Sequence, residues 1–314
     1  MVLRLIGKRL MLGVLTLMVA SLITFALVHL QKGSPGAIIS GMGATKSQIW
    51  KVDEQLGWHQ PLWQQFSNWL IGLIHGDLGH SFIDGRDLSQ EIFTRISVTA
   101  ALALGAVIAL ALIGVSVGIV GAVRGGWVDR MLNSWNALIF ALPPYWLAVL
   151  LVLVFAVLNP LLPATGFVAF SDSPTGWAQS LILPVMAMAI PGAAGLARAT
   201  RAAILEAFAQ EHMRTLRAMG VPRWRIIYKH SLRFASVPVV SMIGLHFVFL
   251  FGGTVTIEQL FVLPGLGQGA TAAIGQHDIP QIQATVIITT LVVVVTNLIT
   301  EIASAYLDPK VRVR

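Results

Sequence analysis

Little in this chain is equipped for covalent chemistry. Its 314 residues include no cysteine, which excludes thiol nucleophiles, disulfides and Cys-ligated metals. Eight histidines are present, yet none stands in the His-Glu-x-x-His spacing of a zinc hydrolase helix. The one Gly-Lys pair, Gly7-Lys8, is followed by Arg9 and lacks the upstream glycine of a phosphate-binding loop. What remains are polar residues set in or beside long apolar runs: His246, Asn297 and Glu301. In a membrane bundle such groups line a transport path or bond to a neighbouring helix. His246 and Asn297 are the candidate pathway-lining residues. For both, a buried group hydrogen-bonded to a neighbouring helix is the equal alternative. Glu301, at the end of the last apolar run, reads as an interfacial carboxylate beside an arginine.

The elements that position these residues follow from composition. Hydrophobic residues make up 56% and charged residues 11%, against about 45–50% and about 25% in soluble domains. A soluble enzyme and a disordered chain are both excluded. A helix crossing the hydrocarbon core needs about 20 apolar residues, so charge-free windows mark the spans. Six emerge, at about 10–31, 97–123, 131–158, 177–197, 234–257 and 280–303. Asn159, Pro160 and Pro163 end the third. A seventh window, 259–277, holds Pro264 and four glycines; it is expected to be an irregular or re-entrant element.

With the N-terminus in the cytoplasm, 16 of the 21 Lys and Arg residues fall on the inside. The net charge of +7 therefore reflects membrane orientation, with no nucleic-acid partner implied. The expected class is an all-α polytopic membrane protein with six transmembrane helices and both termini cytoplasmic. The first run is long for a signal peptide and lacks a small-x-small cleavage site, so it is read as a retained span. Pro143, Pro144, Pro184 and Pro191 are expected to kink their helices. Small residues at 100–106 and 192–195 allow close helix approach.

Two segments lie outside the lipid. Segment 32–96 is extracytoplasmic and carries Trp50, Trp58, Trp63, Phe66 and Trp69. From Trp63 the spacing predicts a short amphipathic helix at the headgroup level, acting as an anchor or as a docking surface for an external partner. Segment 198–233 is cytoplasmic. Leu205, Phe208, Leu216 and Met219 follow helical spacing, Gly220 stops the helix, and Pro222 begins the next at its first turn. The product is a basic helix–turn–helix, too long for a plain connector.

Segment 211–238 reads EHMRTLRAMGVPRWRIIYKHSLRFASVP. It resembles the cytoplasmic "EAA" loop of ABC-importer permeases, in the form used by the peptide/nickel family. Arg214, Thr215, Arg217, Ala218, Gly220, His230, Leu232, Arg233, Ala235 and Pro238 fall in register. Segments 56–82 (LGWHQPLWQQFSNWLIGLIHGDLGHSF) and 261–284 (FVLPGLGQGATAAIGQHDIPQIQA) and the tail YLDPKVR (306–312) are similar to further motifs of that family, in the same order. Arg214 stands where the general loop has Glu, and Met219 where the family often has Lys.

The resemblance implies an ABC importer type I permease fold in the bacterial cytoplasmic (inner) membrane. It implies a transport subunit without an ATPase site, moving small peptides or nickel and metal chelates by alternating access. Its coupling element would be Arg214, Thr215, Leu216, Arg217, Ala218, Met219, Gly220, Val221, Pro222 and Arg223. The implied partners are a second homologous permease chain, two ATP-binding cassette subunits and an extracytoplasmic substrate-binding protein. ATP and Mg would be held by the partner subunits, with no cofactor or metal on this chain. The alternative is a secondary transporter or channel without an ATPase. That alternative calls for intramembrane acids and inverted repeats, and only Glu301 borders a span.

Overall fold

The computed structural model describes residues 2–30, 34–41 and 43–307. The C-terminal motif residues 308–312, with Lys310 and Arg312, and also Arg314, lie outside the described residues. Every regular element among the described residues is helical, apart from one isolated bridge between His80 and Asp87. In order they are α1 (Val2–His29), α2 (Pro35–Ser40), α3 (Lys46–Gln55), α4 (Leu62–Ile74), α5 (Leu88–Arg124), α6 (Gly126–Ala141) and α7 (Pro144–Leu158). Then follow α8 (Pro174–Ala209), α9 (Glu211–Ala218), α10 (Arg223–Phe261), α11 (Leu266–Gln276) and α12 (Ile279–Leu307). Among the described residues, five helices are long and apolar enough to cross a membrane, and the bent pair α6–α7 makes a sixth candidate. Most outrun the charge-free windows. At 36 and 37 residues, α8 and α5 reach about 54 Å and beyond, well past a core of about 30 Å.

Three expectations need correction. The run 131–158 is two helices meeting at 97°, not one. Leu142, held extended because a proline follows, breaks the run (φ −79°, ψ 124°), and Pro144 occupies the first turn of α7. Pro184 and Pro191, by contrast, lie inside one continuous helix. The irregular window 259–277 contains a regular helix, α11, despite Gly267, Gly269 and Gly275. Finally, the helix expected through Leu205–Met219 is interrupted at Gln210, whose backbone is extended (φ −66°, ψ 141°).

The chain divides into two compact units, residues up to Thr99 with Pro264–Val294, and Ala100–Leu263 with the remainder. In the first, α1 and α12 approach so closely at Gly13 that a Cβ would stand 2.6 Å from Val294 Cγ1. The end of α1 packs beneath α4: Phe25 meets Phe66 edge-on at 5.3 Å, and His29 stacks on Trp58 at 4.5 Å. Asp87 caps α5, accepting from the Ser89 N–H at 2.8 Å. That backbone donor holds the exposed Asp87 carboxyl below the usual carboxylate range, so the cap weakens as acidification neutralises it.

In the second unit, α8 is the hub. Leu110 of α5, Ala189, Ala193, Leu196, Ala203 and Ile204 of α8, and Ala235 and Val239 of α10 form one buried cluster. Two glycines of α5 make it possible. A Cβ on Gly114 would lie 2.9 Å from the Ala193 carbonyl, and one on Gly118 2.7 Å from the Ala197 carbonyl and the Thr200 Cβ. The stretch Gly114-Val115-Ser116-Val117-Gly118 has the letters of a nucleophile elbow. It lies inside a continuous helix with Ser116 exposed, so it lacks the strand–turn–helix that such an elbow needs. Its role is close packing.

A paired substitution separates packing from propensity. Gly118→Ala should lower the thermal midpoint of the solubilised protein, by about 1–3 kcal/mol of overpacking. Gly252→Ala, where a Cβ meets nothing within 4 Å, should hold or raise it. Equal effects would contradict the packing account.

Candidate functional site

The candidate coupling residues form a short hairpin with a buried base and a bare tip. At the base, Met213 of α9 is fully buried against Ala207 of α8 and Ile226 of α10, with Phe208, Leu216 and Val221 packed around them. The turn follows the Schellman pattern. Gly220 sits at φ 74°, its N–H bonds to the Arg217 carbonyl at 3.1 Å, and the Val221 N–H reaches the Leu216 carbonyl at 3.1 Å. Leu216 and Val221, the two positions whose apolar side chains accompany this motif, both pack on the buried Met213 cluster. Pro222 lies just outside α10 as its cap, one position earlier than the first turn expected of it, because its ψ of 142° is extended.

Beyond the turn, α10 opens with a π-helical stretch, Ile226–Ser231, and Ser231 Oγ–H donates to the Ile226 carbonyl at 3.1 Å. Such a wide turn has a spare carbonyl, and a buried serine answers it. Arg214, Thr215, Arg217, Ala218, Met219, Gly220, Pro222 and Arg223 are exposed, while Leu216 and Val221 are half-buried. Met219, expected on the apolar face, is 74% exposed at the tip. The anchor that periodicity missed is Met213, since the break at Gln210 rotates α9 relative to α8. Arg217 lies over the Phe208 ring at 5.4 Å and keeps its charge on the outer side.

The two pathway candidates differ in setting. His246 is half-buried in α10, with Nδ1 2.8 Å from the Met242 carbonyl. Its ring lies across a gap left by two glycines of α8: a Cβ on Gly192 or Gly195 would stand 3.3 or 3.5 Å from it. Asn297 is exposed on α12. The structure does not bring these two together at one site. Among the described residues no three His, Asp or Glu side chains gather as metal ligands.

In the first unit, the segments 76–82 and 277–281 meet. Asp278, fully buried at the head of α12, accepts from Ser81 Oγ and, at 3.1 Å, from the Phe82 N–H. A buried carboxylate is favoured there by the helix dipole and by two donors. Beside it, Glu91 pairs with Arg95 at 2.6 Å and Arg86 at 2.9 Å, and Gln281 Nε2 donates to its Oε1 at 3.3 Å. Arg95 donates onward to the Gly265 carbonyl at 3.3 Å. The Arg95 side chain also fills the space over Gly269, where a Cβ would fall 2.9 Å from its Cδ.

Comparison with known proteins supplies the family. Residues 2–103 match the N-terminal part of the binding-protein-dependent transport system membrane components, and residues 111–313 match the binding-protein-dependent transport system inner membrane component. The chain belongs to this permease family. A peptide transport system permease protein of Brucella abortus is 38% identical over 309 residues, 98% of each chain. The glutathione transport system permease protein of Escherichia coli K12 is 35% identical over 306 residues, 97% of each. A peptide ABC transporter permease of Sinorhizobium fredii is 31% identical over 306 residues, 97% of this chain and 98% of its own.

The protein is thus a permease subunit of an ABC importer in the inner membrane. It is a non-catalytic component that works with a separate ATPase and a substrate-binding protein. The permease's segments 56–82 and 261–284 share contacts because Ser81 and Asp278 close them onto each other. Only the two motifs were visible in sequence; the pairing joins residues 197 positions apart.

Asp278→Ala should leave the Ser81 hydroxyl and the Phe82 N–H of the permease without their acceptor, at about 1–3 kcal/mol for an unmade buried bond. Limited proteolysis of membrane vesicles should then cut within 76–87 faster than in the native chain. Ser81→Ala, which keeps the Phe82 bond, should have the smaller effect. Unchanged cleavage in both would contradict a closing role.

Proposed function

We propose that this permease imports small peptides by alternating access, with the 211–225 hairpin as its coupling element. The observation that carries the proposal is the contrast within the hairpin: a base locked by buried Met213 and a tip that exposes Met219, Gly220 and four arginines, Arg214, Arg217, Arg223 and Arg225. A chain that buries one end so fully gains nothing within itself by leaving a methionine bare. The tip docks in a cleft of the ATPase, and closure of two ATPase subunits on ATP and Mg moves it. A second, related permease chain completes the pathway, and an extracytoplasmic binding protein delivers the substrate. Both termini and the hairpin face the cytoplasm, and segment 32–96 faces outward.

Support for a peptide substrate comes from relatives named for peptide and glutathione transport. Nickel or a metal chelate is the competing cargo, and this chain itself carries no cofactor or metal. His246 and Asn297 are proposed as pathway-facing groups. For His246, whose Nδ1 is occupied within its own helix by the Met242 carbonyl, the seat against Gly192 and Gly195 of α8 favours an interhelical packing role.

Gly220→Asp tests the coupling. The left-handed backbone costs a side chain about 1–2 kcal/mol, less for Asp, and a Cβ there meets nothing within 4 Å. The variant should therefore insert and assemble normally, yet lose uptake. Normal uptake would sink the docking reading. For the substrate, calorimetry on the cognate binding protein should show heats with di- to pentapeptides. Heats only with nickel or its chelates would reassign the cargo. His246→Ala should reduce uptake only modestly.

A further inference from the structure

The hairpin is tied to the rest of its unit at a second place, the corner joining α5 to α6. That corner turns on two left-handed glycines, Gly125 (φ 60°) and Gly126 (φ 57°). Such a joint is the most permissive backbone available. Two arginines converge on it. Arg201 of α8 grips Asp129 of α6 with both sides of its fork, Nε to Oδ1 and Nη2 to Oδ2, each at 2.5 Å. Asn133, one turn along, donates to the same Oδ1 at 2.9 Å. Gly121 of α5 makes the room, since a Cβ there would stand 3.3 Å from Asp129 Oδ1 and 3.6 Å from Arg201 Cδ. From the other side, Arg223 at the head of α10 donates to the Val123 carbonyl at 3.0 Å. That carbonyl belongs to the last turn of α5, where helix carbonyls lack intrahelical partners.

The two arginines lie on the helices that flank the hairpin. Arg201 is on α8, ten residues before α9 begins, and Arg223 follows just after the turn. The far end of α6 is already seated, with the Phe140 ring 3.4 Å from where a Cβ on Gly195 would stand and Arg198 over that ring at 4.4 Å. What is left to fix is the glycine corner.

We propose that the Asp129–Arg201 pair, helped by Arg223 on the Val123 carbonyl, is a positioning clamp that makes α6 and its corner move as one body with the hairpin. The proposal rests on the docking reading above. A partly exposed ion pair adds modest stability at most, and these side chains are 31% and 15% exposed. A bidentate fork, however, fixes orientation as well as distance. Its contribution is stiffness across a joint that would otherwise swing.

The absence of cysteine in this chain allows two unique spin labels, through His212→Cys on α9 and Ser134→Cys on α6, both exposed. Pulsed electron resonance on the complete importer in nanodiscs would compare the nucleotide-free state with the ADP–vanadate state. With the native clamp the distance should be narrow and the same in both states. Asp129→Asn and Arg201→Lys should broaden it and make it shift with nucleotide. The exchange of Asp129→Arg with Arg201→Asp should narrow it again. If the single variants lower only the amount of assembled complex, leaving the distance within it unchanged, the pair is merely structural and the proposal fails. A native distance that shifts with nucleotide also overturns it. If the 212 label does not respond to the ATPase subunits at all, the docking reading falls and the clamp with it.

Discussion

Two missing side chains organise the larger unit. Gly114 and Gly118 let α5 lie against the backbone of α8 at a distance no Cβ would tolerate. In lipid this matters more than in water. Hydrocarbon tails are as apolar as leucine, so helices gain nothing by hiding leucines from them. What they gain is contact, and contact grows as backbones approach. The small-residue face of α8, with Ala189, Ala193 and Ala197 buried, continues the same logic toward α10. Gly192 and Gly195 open the gap that His246 and Phe140 fill. The position of the histidine is therefore set by the glycines opposite it, which is why its type alone does not make it a transport residue.

The spans were legible because their signal is strong: a charge in the hydrocarbon is costly, so long charge-free runs can hardly be anything else. The helix stop at Gly220 was legible for a comparable reason, since one backbone conformation there favours one residue type. The proline pair at 143–144 was seen as a kink, but its size was not. Two adjacent prolines remove two donors and force Leu142 out of the helical region, which ends the helix instead of bending it.

Other features were hidden. Periodicity carried the helix through Gln210 and so put Met219 on the buried face, whereas a single extended residue shifts that face to Met213. The Gly114–Gly118 spacing is present in the sequence, although the small residues at 100–106 and 192–195 are the ones read as sites of close approach. Long-range pairs such as Asp129–Arg201 and Ser81–Asp278 have no local signal. Val262 and His277 adopt left-handed conformations at φ 55° and 58°, positions where sequence rules look for glycine. They bracket α11, whose glycines argued against a helix. Burial of Leu263, Leu266, Gly269 and Ala273 overrides that propensity.

A permease that hydrolyses nothing must receive its free energy as displacement at a surface. For displacement to reach the membrane, the receiving element has to be stiffer than the joints around it. The hairpin, proposed above as that element, meets the condition by several independent means. Met213 fills its base, the Schellman bonds close its turn, and Ser231 satisfies the wide turn that begins its outgoing helix. Its two legs run without a loop into α8 and α10, apart from the single break at Gln210. Both helices share the buried cluster around Leu196 and Ile204. A push on the tip is thereby a push on the packed centre of the unit. A soft point nearby is the Gly125–Gly126 corner, and it is there that the Arg201 fork grips Asp129 with two charge-assisted bonds.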